Sequence, residues 1–471
     1  MSEIHLIKRR LGKLKIKCIL CRMLCRSSYF LLTALLLWST PSVAQKRLTL
    51  SDAINKSFLS RKSMQAGRSD LTIRKLQTEA LYRKYWPQVS AEYTYLYNPI
   101  LQTSILPIGI FNPSYPIDAT KSIQFGTKWS QTAGITVNQP LLDWSIQRSI
   151  REAKMQESIT LTSQAQSEYE LAYTVAQQYL EVGLQESKIK SAIADTLRTY
   201  TSYDLLRNKY DEKRLLKSEL NKSLINHHNS LQKLRDANSE FIEVKVNLLT
   251  LMGETDLAKS DFATDSTVFN PGKLTGSAPS SISEQLPELQ QLELQGLLTN
   301  LQVRSEKAKH LPTIGIKGFI GANQYTNNFD PTESNTWFGV SYVGLDCKFP
   351  LLSGENAHKK IVELRLQTTQ YKQQMEDKSA LYARDTFTAT LKMRRVASQL
   401  KTQEENLALS IESIGITQAR FFEGQESAST LNLDEASLQQ LENEYELNKK
   451  QVWVYWLDHL KSSGRLYTLW K

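Results

Sequence analysis

Cysteine is nearly absent from the working part of this chain. Four occur in 471 residues, and Cys18, Cys21 and Cys25 fall within the first 44, which leaves Cys347 alone beyond them. A single thiol can build neither an intrachain disulfide framework nor a cysteine metal site. Long apolar runs are also missing: after Ala44 no stretch approaches the roughly 20 residues a membrane-spanning helix needs, which leaves β-type insertion open. Proline is absent from residues 141–270 and again from 351–471, and these stretches hold only six glycines between them. Without breakers, each can run as long helix.

What is present begins with a targeting signal. Eight basic residues, Lys8 to Arg26, precede an apolar run from Tyr29 to Trp38, and Ser42-Val43-Ala44 supplies small residues for cleavage. Residues 1–44 therefore read as a secretory signal, with translation starting at Met1 or Met23; an N-terminal anchor is disfavoured because about ten apolar residues are too few to cross a bilayer. Removing the signal lowers the formal charge from +10 to about +3. The high pI is mostly a targeting feature, and no nucleic-acid partner is expected.

The rest is written twice. "VNQPLLDWS" over 137–145 is echoed by "CKFPLLSGE" over 347–355, with Pro140 and Pro350 lying 210 positions apart. "YWPQVSAEY" and "HLPTIGIKG" repeat at 225, while Tyr210 and Phe421, then Gly253 and Gly464, repeat at 211. The spacing difference puts fifteen extra residues in the first copy, in the loop "NPILQTSILPIGIFNPSYPIDATKS". Repeat 1 spans 45–253 and repeat 2 spans 285–464, with a linker over 254–284 and a tail over 465–471.

Each repeat reads as a helix, a β-hairpin and a long helical hairpin. The first helices cover about 51–85 and 285–310, opened in repeat 1 by Ser51-Asp52 and closed before Pro87 and Pro312. The β-hairpins cover 88–139 and 313–349. In them Val89, Ala91, Tyr93, Tyr95 and Tyr97 form one row, Ala133, Ile135 and Val137 another, and Ile314, Ile316 and Ile320 a third; Phe338, Val340 and Tyr342 form a fourth. These alternations predict strands with one apolar and one polar face. The helical hairpins turn near Asp211–Arg214 and Glu423–Ser427, and a helix from 145 to 209 approaches 100 Å at about 1.5 Å per residue. No globular core needs such length.

Four strands cannot close on themselves, and an open edge in lipid leaves backbone groups unpaired at several kcal/mol each. If the strands enter a membrane, several chains must share one barrel, with Tyr93, Tyr95, Tyr97, Phe125, Trp129 and Trp337 suited to lipid and its interfaces. Pro140 and Pro350 then mark the corners where strands end and helices begin.

Together with "LTLSDAINKSF" near the mature start and "ARFFEGQESASTLNLDEASLQQLENEYELNKKQVWVYWLDHLKSSG" over the last hairpin, these motifs resemble the TolC family of outer-membrane efflux proteins across residues 47–464. The resemblance implies a mainly α fold with a small β part: a homotrimer with a twelve-stranded outer-membrane β-barrel continued by a long α-helical periplasmic barrel. It implies an exit duct of a tripartite efflux or type I secretion system in a Gram-negative outer membrane, working with a periplasmic adaptor and an inner-membrane transporter. The family's aromatic-x-x-Gly turn survives as Phe421-Phe422-Glu423-Gly424, but Glu426 stands where a gating arginine often sits, Thr430 and Leu433 stand where aspartates of the aperture ring can occur, and Lys213 replaces the turn glycine of the first hairpin. The candidate aperture or docking residues are Asp211, Glu212, Lys213, Arg214, Phe421, Glu423, Gly424 and Glu426.

No catalytic constellation, cofactor motif or metal site is legible. Of the six histidines only His227-His228 cluster, and neighbours on a helix point about 100° apart. Against the duct stands one rival, a structural or adhesive coiled-coil envelope protein with a small β-domain. An ordinary porin is excluded by too few strands and too much helix.

Overall fold

The computed structural model describes residues 46–108, 114, 116–254, 262–264, 286–330, 337–350 and 354–470. The signal sequence over 1–44 lies outside the described residues, as does most of the linker over 254–284. Two compact units are present. The smaller is a parallel pair of short strands, β1 (Lys46–Leu48) and β6 (Phe262–Thr264). A stretch read as linker thus contributes a strand, three residues too short for any period to show.

The larger unit holds everything else. It opens with α1 (Leu50–Ser60) and α2 (Lys62–Arg83), where one helix was expected. The break is at Arg61, which takes extended backbone at φ −67° and ψ 128°. Four strands follow before the first long helix: β2 (Gln88–Tyr97), β3 (Gln102–Pro107), β4 (Thr120–Phe125) and β5 (Trp129–Leu142). The extra residues of the first copy fold in part into the separate β3–β4 hairpin. The first helical hairpin is α3 (Trp144–Asp211) and α4 (Lys217–Leu251). The second copy runs α5 (Pro287–Ala308), β7 (Thr313–Thr326), β8 (Trp337–Lys348), α6 (Gly354–Phe422) and α7 (Ala428–Ser462). At about 1.5 Å per residue, α3 and α6 are each about 100 Å long.

Pro140 does not end its strand. β5 continues to Leu142, with a register irregularity between Pro140 and Leu142 that accommodates the missing N–H. Asp143 then caps α3, its Oδ1 accepting from the backbone N–H of Ser145 at 2.8 Å and of Ile146 at 3.4 Å. Pro350 lies two residues beyond β8, exposed and outside any strand.

A run of fully buried residues lies midway along α3. In α3, Ala172, Val175, Ala176 and Tyr179 are fully buried at the i, i+3, i+4, i+7 spacing of one helical face. That helix packs on α1, α4 and α7, in which Ile54, Leu248 and Leu457 are also fully buried. The tail over 465–471 is ordered structure as far as Trp470: Leu466 starts a 3-10 turn and is fully buried, Tyr467 packs on Tyr169, and Trp470 meets Phe58 edge-on at 5.6 Å.

Candidate functional site

β2, β5, β7 and β8 form one antiparallel sheet in that order. The register aligns Tyr93 with Ala133, Ala133 with Ala322, and Ala322 with Gly339. It therefore gathers Val89, Tyr93, Tyr97, Ile135, Ile320, Val343 and Leu345 on one face, together with Trp129 and Trp337. All four charged residues of the sheet, Glu92, Lys317, Asp346 and Lys348, fall on the other. β2 and β8 are exposed or half-buried along their whole length. Among the described residues this is a single layer with one uncharged face, one charged face and two open edges, not a closed sandwich.

One row falls elsewhere than expected. Phe338, Val340 and Tyr342 share the charged face, where Tyr342 stacks on Phe319 at 5.7 Å. Phe319 in turn covers a glycine pair: a Cβ on Gly134 would come within 2.5 Å of its Cζ, and one on Gly321 within 2.8 Å. Only glycine lets the ring lie this close to the backbone. On the uncharged face, Tyr95, Tyr97, Trp129 and Phe329 form an aromatic cluster at the end remote from the helices. Near it Gln131 and Gln324 are buried and satisfied in a chain, with Tyr93 donating to Gln131, Gln131 to Gln324, and Gln324 to the carbonyl of Asp330.

At the opposite end of the molecule's long helices lie the two hairpin tips. Both close by the same backbone device. The N–H of Arg214 reaches Lys209 O and that of Lys213 reaches Tyr210 O; Gln425 to Arg420 and Gly424 to Phe421 repeat the pattern. The residue between must be left-handed, and Gly424 has φ 76° while Lys213 has φ 61°. Lys213 thus occupies the glycine's conformation as well as its place.

The expected tip residues divide. Asp211, Glu212, Lys213, Arg214, Glu423 and Gly424 are exposed, and Glu426 is half-buried. Arg214 pairs with Glu212 at 3.4 Å, fully in solvent. Phe421 is not a surface group: it is 4% exposed and closes a core with Leu206, Ala428 and Leu431. Two apolar residues missed in the sequence, Leu216 and Phe422, stand exposed, one on each tip. Their signal was an apolar side chain beside a turn glycine or its substitute.

Behind the tips, α3 meets α7 along a polar seam. Asp195 is buried and accepts from Arg198 and from Gln439, Arg198 also reaches Glu442 at 3.7 Å, and Ser202 donates to Glu435. Further along, Ser187 donates to Glu446, Lys450 pairs with Glu181 at 2.7 Å, and Tyr173 donates to Asp458. Burial pushes the Glu435 and Glu442 carboxyls above the usual range, with Asp195 adding to the effect and Arg198 opposing it. His227 sits beside this seam with Nδ1 at 3.3 Å from Thr199 Oγ1, while His228 is exposed.

No helix among the described residues is long and apolar enough to cross a membrane. A sheet with one uncharged face and two open edges, continued by helices of about 100 Å, is the fold of a chain that supplies part of a barrel and its helical extension. Residues 278–454 match the family model described as outer membrane efflux protein. No curated protein matches the chain. Among solved structures, CusC is similar at 13% identity and TM-score 0.69 over 89% of this chain and 92% of that one. The outer-membrane channel OprN is similar at 13% and 0.67 over 88% and 89%, and the outer membrane protein VceC from Vibrio cholerae at 12% and 0.66 over 88% and 96%. The likeness to these channels shows the fold over nearly the whole chain, and the family model matches within its second half.

Proposed function

We propose that the chain is the exit duct of a tripartite efflux or type I secretion system, passively conducting cargo delivered by a periplasmic adaptor and an inner-membrane transporter. Three copies, four strands each, make a twelve-stranded barrel whose lumen is the charged face of the sheet. The observation that carries this reading is the segregation of every sheet charge onto one face while both edge strands stay open. An uncharged face suits lipid and an open edge requires a neighbouring copy. Head-to-tail pairing of β2 with the next copy's β8 keeps all helices on one side of the membrane, because the two strands run antiparallel.

The tips are the aperture and docking surface in this reading. Leu216 and Phe422 supply apolar contact, surrounded by Asp211, Glu212, Lys213, Arg214, Glu423 and Glu426. The test is a deletion strain assayed for retention of dyes and detergents, together with outer-membrane fractionation. Retention and a heat-sensitive trimer in the outer membrane are expected; unchanged export of every substrate, with a readily released soluble protein, would leave the rival adhesive reading standing.

A further inference from the structure

The charged face of the sheet is polar on one half only. Across β2 and β5 it presents Ser90, Glu92, Thr94, Thr132 and Thr136, with Leu96 at the far end; across β7 and β8 it presents Phe319, Tyr325, Phe338, Val340 and Tyr342. Phe319 is the buried ring over the glycine pair, and it beds Tyr342 in a stack with 24° between the planes. The outer rings stay open: Phe338 is 59% exposed and Tyr342 49%. Tyr342, Val340 and Phe338 thus make an apolar strip that runs about 13 Å away from the helices, at about 3.3 Å per residue. At its helix end Lys317 stands in register with Gly344, and a Cβ on Gly344 would meet nothing within 4 Å. Asp346, the carboxylate of this half, is held by Lys348 at 3.5 Å, and among the described residues Lys317 has no ion-pair partner. Glu92 lies two strands away on β2.

Lys317 and Tyr342 are diagonal neighbours across the ladder, a spacing of about 7–8 Å. An exposed ammonium at that distance from an open ring face recognises a flat aromatic bearing an acid group: the ring stacks on Tyr342 and the anion meets Lys317. Two lysines against one carboxylate give this half of the face an excess of positive charge, which disfavours an aromatic cation or a metal ion. Resting on the reading of this face as the lumen, we infer that each copy carries in the barrel wall a stacking site for aromatic carboxylates and sulfonates in transit.

The experiment records channel currents of the full chain in planar bilayers with 2-naphthalenesulfonate, and with cyclohexanesulfonate and 2-naphthylmethylammonium as controls that lack the aromatic ring or reverse the charge. 2-Naphthalenesulfonate is expected to block at about two- to tenfold lower concentration than either control, a comparison that needs no variant. Lys317→Gln should raise its blocking concentration about two- to fivefold without raising that of the ammonium, and Lys317→Arg should behave as the parent. Tyr342→Leu keeps the strip apolar and should erase the difference between the two sulfonates. Equal block by the three compounds, or an unchanged response in either Lys317→Gln or Tyr342→Leu channels of parental conductance, overturns the inference and leaves the duct reading intact. No current from the parent protein removes the duct reading instead; fluorescence anisotropy of 2-naphthalenesulfonate on the detergent-solubilised protein then decides the site, a rise lost in both variants upholding it and no rise overturning it.

Discussion

Val340 and Ser341 are neighbours on β8, and the register sends them to opposite faces. Ser341 lies beside Ile320 on the uncharged face; Val340 lies beside Gly321 on the face that carries Glu92, Lys317, Asp346 and Lys348. Chemical intuition would protect the valine and sacrifice the serine. The register demands the reverse. An arginine facing lipid near mid-strand costs about 2–4 kcal/mol per chain, whereas one facing the lumen costs little. Ser341→Arg should therefore lower the ratio of folded to unfolded chain by about 30- to 800-fold, since each 1.4 kcal/mol is tenfold. Val340→Arg should lie close to the parent. The assay is the urea midpoint of heat-modifiable protein reconstituted in lipid vesicles, read on semi-native gels. Equal midpoints for the two variants, or a lower one for Val340→Arg, would mean that the uncharged face does not meet lipid.

Other expectations follow from the same geometry. Gly134→Ala drives a Cβ into the Phe319 ring and should destabilise by about 1–3 kcal/mol in the same assay, with Phe319→Ala in the same chain recovering part of the loss. Asp143→Ala removes the cap of α3 and should cost about 1 kcal/mol, seen as a lower Tm without loss of assembly. Glu435 holds its proton more tightly when folded than the ordinary carboxyl at 4.5, so its contribution to stability is greatest below that value and is lost as pH rises through the folded pKa. Glu435→Gln should therefore match the parent below about pH 4.5 and exceed it in Tm at increasing pH; a constant difference at all pH values would assign the effect to packing.

How far this was legible in the sequence depended on the reach of each signal. Period-two alternation gave the faces of β2, β5 and β7, because in those strands the large apolar residues occupy mostly one parity. β8 carries Phe338, Val340 and Tyr342 on one parity and Val343 and Leu345 on the other, so pattern alone chose the wrong row and only the pairing with β7 decides. β3 and β4 escaped notice because Thr103, Ser104 and Ser122 dilute their alternation and Pro107 reads as a breaker. The tip turns were readable from glycine spacing, and Lys213 was seen in the glycine's place. The burial of Phe421, a candidate tip residue by its place in the turn motif, is not legible because it depends on Leu206 in the other hairpin.

Among the described residues, β2 and β8 each leave one side of their backbone ladder without a neighbour inside the chain. In the proposed barrel a solitary copy is therefore no stable occupant of hydrocarbon, and the copies have to find one another before or while they enter the bilayer. Biogenesis of such a protein is a problem of meeting as much as of folding, and any copy damaged along either border strand withholds the whole ring from the intact copies it has joined.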